Sequence, residues 1–112
     1  MLPKPHRLIK ERDFNRAFRR GRSNFAKLIG LKAIKNNLAY SRFGFVVANK
    51  VAKKASRRNL IKRRLRAIVH RELKKIKPGY DFVIIALGPI VASDYQSMAG
   101  EVKNCFKKLN VL

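Results

Sequence analysis

The stretch from Lys50 to Arg71 constrains this chain more than any other. Ten of its 22 residues are Lys or Arg, and none is acidic. If the segment is helical from Ala55, Ile61, Leu65 and Ile68 fall at i, i+4 and i+7 with Val69 and Leu73 adjoining, which makes one apolar stripe to bury. Asn59, Arg63, Arg66 and His70 repeat that spacing on the opposite side. Arg58 and Lys62 stand between the two faces, where long stems follow the stripe while the charges stay in water. A run of like charge is ordinarily a solvated face. Here no carboxylate in the segment offsets it, so the cations repel one another and an external polyanion is the source of compensation.

The rest of the composition agrees. A length of 112 residues suits one compact domain. At 46% hydrophobic residues, with seven Phe, the chain can bury a real core despite a formal charge of +22. That charge exceeds what solubility requires and points to nucleic acid before membrane. The single cysteine, Cys105, leaves no internal disulfide and no metal-ligand spacing, which suits a reducing cytosol. No apolar run approaches the ~20 residues of a membrane span, and the opening MLPKPHRLIK has no signal-peptide block. A cytoplasmic location is expected.

Along the chain, residues 1–10, with Pro3, Pro5 and His6, read as an extended basic arm. Asp13 is placed to cap a two-turn helix with Phe14, Ala17 and Phe18 on one face, and Gly21 to end it in a left-handed conformation. So short a helix is unstable alone, so its phenylalanine face must pack against something. Residues 25–35 alternate imperfectly, Asn36-Asn37 supplies turn chemistry, and from Ser41 the alternation is clean. Phe43, Phe45 and Val47 share one face, with Arg42, Gly44, Val46, Ala48 and Lys50 on the other. The two segments read as an antiparallel hairpin. Gly44 inside a strand marks either a bulge or a close approach by another backbone or a ligand.

The basic helix is expected to run to about Ile76, where Lys77-Pro78-Gly79 stops it. Residues 80–87 form an almost continuous apolar run, the pattern of a central strand covered on both faces. Ser93 with Gln96 reads as a capping box for a last helix whose stripe includes Met98, Val102, Cys105 and Phe106. The order α-β-β-α-β-α makes an α+β fold, a sandwich of helices against a small sheet with a βαβ crossover. General rules make such a crossover right-handed.

These residues carry a resemblance. Ala55-x-x-Arg58-Asn59-x-Ile61-Lys62-Arg63-x-x-Arg66, preceded by Arg42-x-Gly44 and Val47-Ala48-Asn49-Lys50-Val51, resembles the signature of the bacterial ribonuclease P protein subunit. Phe14-x-x-x-Phe18-x-x-Gly21 and residues 80–86 are similar to the family's flanking blocks in the same order, so the likeness spans roughly residues 7–110. The family commonly has a basic residue where this sequence has Leu60. The resemblance implies a left-handed crossover, and a partnership with the ribonuclease P catalytic RNA, which holds the Mg²⁺ ions and cuts the 5′ leader from precursor tRNA. It also implies that Arg58, Asn59, Lys62, Arg63 and Arg66 serve that RNA. Phe14, Phe18, Arg42 and Lys50 would serve the single-stranded leader. Guanidinium forks suit phosphates of a folded RNA, whereas flat rings suit unstacked bases.

Catalysis by the chain itself is not expected. Glu11, Asp13, Glu72, Asp81, Asp94 and Glu101 are scattered and read mostly as caps and exposed turns, not as a set converging on a metal. His6 and His70 have no ligand or acid partner nearby in sequence, and no nucleotide loop or nucleophile motif is present. A structural RNA-binding protein of ribosomal type is the alternative that composition and size allow. A membrane-active cationic protein is disfavoured, because the stripe beside the charge is narrow. DNA and membrane partners are not expected.

Overall fold

The computed structural model describes residues 2–112; Met1, the first residue of the expected arm, lies outside them. The elements are α1 (Glu11–Arg20), β1 (Arg22–Phe25), β2 (Ile29–Lys35), β3 (Arg42–Val46), α2 (Ala55–Glu72), β4 (Tyr80–Ala86) and α3 (Tyr95–Lys108). The expected α-β-β-α-β-α succession is present, with one additional short strand, β1, in front of β2. The sheet order is β1-β2-β4-β3, antiparallel except for the parallel pair β3 and β4 that α2 connects.

Strand β4 sits in the middle because both of its faces are apolar. Phe82, Ile84 and Ala86 enter the main core with Leu31, Phe43, the α2 stripe of Ile61, Leu65, Ile68 and Val69, and Met98, Val102 and Phe106 of α3. Val83 enters a smaller cluster on the opposite face with Leu8, Ala17 and Phe14. The molecule therefore has three layers: α1, the sheet, and the α2–α3 pair. Phe82 stacks on Phe43 at 5.2 Å and meets Phe106 edge-on at 5.0 Å, tying two strands to α3.

Several local expectations are corrected. The hairpin joins β1 to β2, not β2 to β3, because β4 is inserted between the latter two. Alternation tells which face a residue takes but not which strand lies beside it. Helix α1 starts at Glu11 with no side-chain cap, so Asp13 lies inside its first turn. Gly21 is extended, at φ −71° and ψ 149°; a Cβ there would collide with the carbonyl oxygen of Ala17, so close approach and not handedness calls for glycine. The cap of α3 is Asp94, which accepts from the Ser97 amide at 2.7 Å. That bond holds the Asp94 carboxyl below its ordinary range. Ser93 instead donates to Ile90 O. The basic helix is regular to Glu72 and continues as turns to Ile76.

The arm is packed, not extended away. Leu2 is buried in the main core and Leu8 in the smaller one, with a 3₁₀ turn at Lys4–His6 between them. The Leu8 amide donates to Phe43 O at 2.9 Å, so the arm pairs with the outer edge of β3. That pairing covers part of an edge otherwise open to other chains.

Glu72 and Asp81 are not in exposed turns: both are buried. Glu72 stands at the C-terminus of α2, where a negative charge opposes the helix dipole. Its Oε1 has no hydrogen-bond partner, and the Lys103 ammonium is 3.9 Å away. Replacing Glu72 by Met keeps the volume and removes the unsatisfied carboxylate, so stability should rise by about 1 kcal/mol. A higher urea midpoint at unchanged slope is the expected reading; a lower midpoint would mean that the carboxylate is satisfied in solution.

Candidate nucleic-acid interface

Two surfaces meet at the outer edge of β3. One is the exposed side of α2. Asn59, Arg63 and His70 are exposed there, and Lys62 and Arg66 are half-buried along the flanks. Nothing acidic lies in the first turn of this helix. Arg58 differs from its neighbours: its Nη1 donates to the carbonyls of Ala52 and Lys53 at 2.9 and 2.6 Å. It caps the loop that enters the helix, a structural task that the motif pattern did not reveal.

The other surface is a cleft of about 320 Å³ between the layers, lined by Arg7, Ile9, Phe14, Gly44, Phe45 and Arg66 among others. Its floor is the edge of β3 just beyond the point where the arm pairs with Phe43. Phe14 reaches this edge because Gly44 lacks a side chain: a Cβ at Gly44 would collide with Cε1 and Cζ of the Phe14 ring and lie 3.2 Å from Leu8 Cδ2. The close approach that Gly44 implies is thus by a ring of α1. From the other layer, the Arg66 guanidinium lies over the Phe45 ring, 5.7 Å from its centroid. The cleft offers ring faces, a strand edge and two guanidinium groups, Arg7 and Arg66, and so accommodates a flat, anionic, extended chain.

Not every residue named from the sequence gathers there. Phe18 is 38% exposed and does not line the cleft, and Lys50 is exposed in the turn after β3. Arg42 is engaged internally. Its Nε and Nη2 donate to the two oxygens of Asp81 at 2.8 and 2.7 Å, and its Nη1 lies 3.4 Å from Asp13. The hydrogen bonds that Arg42 donates to Asp81 raise its pKa above the ordinary value, helped by the Asp81 and Asp13 charges. Asn36 Nδ2 adds a third bond to Asp81 at 2.9 Å. Arg42 therefore clamps β3 to β4 beside the cleft. Arg66, by contrast, belongs to both surfaces. The helical repeat placed it on the outer face; that Phe45 would lie beneath it was hidden, since alternation groups Phe45 with Phe43 and Val47 on one face of β3 but does not say what covers that face. Among the described residues, no group of three or more His, Cys, Asp or Glu is placed to hold a metal ion, and none of the helices is long and apolar enough to cross a membrane.

Residues 2–110 match the model of the family described as Ribonuclease P. The chain belongs to the ribonuclease P protein family. It is 33% identical over 112 residues to the ribonuclease P protein component of Synechocystis sp. (strain ATCC 27184 / PCC 6803 / Kazusa), covering 99% of this chain and 90% of that one. It is 34% identical to the ribonuclease P protein component of Clostridioides difficile (strain 630), covering 93% and 91%. Among solved structures it is similar to the RNase P protein from Thermotoga maritima in complex with 1-(4-fluorophenyl)-2-thiourea. That similarity has a TM-score of 0.81 and 34% identity over 88% of this chain and 94% of that one. The Staphylococcus aureus RNase P protein superposes with a TM-score of 0.87 at 24% identity, covering 95% and 96%, a likeness of fold. The α+β architecture described above is thus that of the ribonuclease P proteins.

Proposed function

We propose that this chain is the protein subunit of a cytoplasmic ribonuclease P ribonucleoprotein that removes the 5′ leader from precursor tRNA, with its RNA partner as the catalyst. The observation that carries the reading is the junction at Arg66: an acid-free basic helix and an aromatic strand-edge cleft share one side chain. Helix α2 would lie on the catalytic RNA through Asn59, Lys62 and Arg63, with Arg58 holding the entry loop in shape. The cleft would take the unstacked leader, with Phe14 and Phe45 as stacking platforms and Arg7 and Arg66 on its phosphates. Phe18 and Lys50 would extend this path outside the cleft, and Arg42 would keep the strand edge rigid. Mg²⁺ belongs to the RNA in this scheme. Asp13 and Asp81 are both directed at Arg42.

Reconstitution tests the whole. The purified chain should be inert alone, and mixing it with a bacterial ribonuclease P RNA should produce cleavage of precursor tRNA at low Mg²⁺. Replacing Lys62 and Arg63 by Ala should weaken binding to the RNA and reduce the slope of log affinity against log salt by about two, one for each lost phosphate contact. No cleavage with the RNA, or an unchanged slope, would move the protein to the class of structural RNA-binding proteins.

A further inference from the structure

A row of arginines on α1 has no part in the assignment above. Arg12, Arg16, Arg19 and Arg20 stand at i, i+4, i+7 and i+8, so all four turn to one side of the helix. With Asn15 they line a shallow concavity of about 420 Å³. Phe14 and Phe18 project to the other side, and Ala17 beneath them is buried on the sheet. Among the described residues the ion pairs are Arg42 with Asp13, Arg42 with Asp81, and Lys103 with Glu72, so the arginine row has no acidic partner. Arg12, Arg19 and Arg20 are exposed. Arg16 is half-buried, donates to Lys35 O, and has an Nε atom that is buried without a partner.

The chemistry of this face is narrower than a basic patch in general. It has four guanidinium groups within a rise of about 12 Å and no aromatic ring, so it has nothing on which an unstacked base can lie. Such a surface tracks phosphates and fits the backbone of a double helix better than a single strand. Its direction matters too. Helix α1 packs on the sheet face of Val83 and Ile34, and α2 on the face of Phe43 and Phe82. Their outer sides point away from each other with the sheet between them, so one RNA helix cannot lie on both.

We infer that the outer face of α1 is a second RNA-contacting surface, which takes the phosphate backbone of a double-helical RNA segment distinct from the one on α2. One chain then bridges two RNA segments. This rests on the proposed function only in taking α2 to bind RNA.

Two short RNA duplexes carrying donor and acceptor dyes, mixed with the full chain, report bridging as energy transfer, with mass photometry giving the number of chains per complex. The expected result is transfer from complexes of one chain and two duplexes. Replacing Arg12, Arg19 and Arg20 by Ala should lower it about tenfold and reduce the salt slope by two to three. The melting curve should stay unchanged, and Lys at the three positions should restore most of the signal. Bridging that survives the Ala changes, that is absent in the wild type, or that needs two chains overturns the inference. Bridging insensitive to Lys62→Ala with Arg63→Ala but lost on changing α1 would instead overturn the assignment of α2 to RNA.

Discussion

Replacing Asp81 by Ala should cost the fold about 3 kcal/mol, at the lower end of what removing one partner of a buried ion pair typically costs. Asp81 is fully buried at the start of the central strand, directly across from Arg42 of β3 and Ile34 of β2. Its two oxygens receive both Arg42 bonds and the Asn36 bond. Without the carboxylate the Arg42 guanidinium keeps only Asp13 at 3.4 Å, and the Asn36 amide loses its anchor. The Arg42 side chain is 23% exposed, so water takes over part of its solvation and keeps the loss from reaching the upper end. For a chain of this size the melting temperature should fall by 10 °C or more, by an estimate of about 4 °C per kcal/mol. Asp81→Asn, which retains the volume and part of the hydrogen bonding, should lose about half as much. A loss below about 1 kcal/mol for the Ala variant in urea unfolding would mean that the clamp between β3 and β4 contributes little.

The second large effect is expected at Gly44. Alanine there drives the Phe14 ring off the strand edge, an overpacking that costs about 1–3 kcal/mol, and it removes one wall of the cleft. The clash is with one ring, so Phe14→Ala should relieve it. In a four-variant cycle, Gly44→Ala should be markedly less costly in the Phe14→Ala background, with a coupling of about 1 kcal/mol or more. On the proposed function, both single variants should lose discrimination between precursor and mature tRNA, while binding to the ribonuclease P RNA stays near the wild type. Additive costs would show that contact with Phe14 is not what excludes a side chain at position 44.

What could be read in advance was what repeats along the chain. The spacing of Ile61, Leu65, Ile68 and Val69 defined the inner side of α2, and all four are buried. The apolar run from Tyr80 marked a central strand, and β4 is central. Gly44 signalled a close approach without naming the group that makes it. Caps and helix ends were less legible, because Ser93 and Asp94 are adjacent and both can accept from the first turn; in the structure Ser93 closes a 3₁₀ turn at Gly88–Ala92 and Asp94 caps the helix.

By itself the sequence determined the three helices, the strands β2, β3 and β4, their buried sides and the excess of positive charge, because each follows from the periodicity or count of side chains; the short β1 carries no such pattern. Tertiary structure alone decided which strands are neighbours, that Arg42 faces Asp81 and Asp13, that Arg66 covers Phe45, and that two cationic helices face opposite ways. These depend on residues far apart in the chain meeting across a layer, and a local pattern specifies the face a side chain takes but not the partner it finds there.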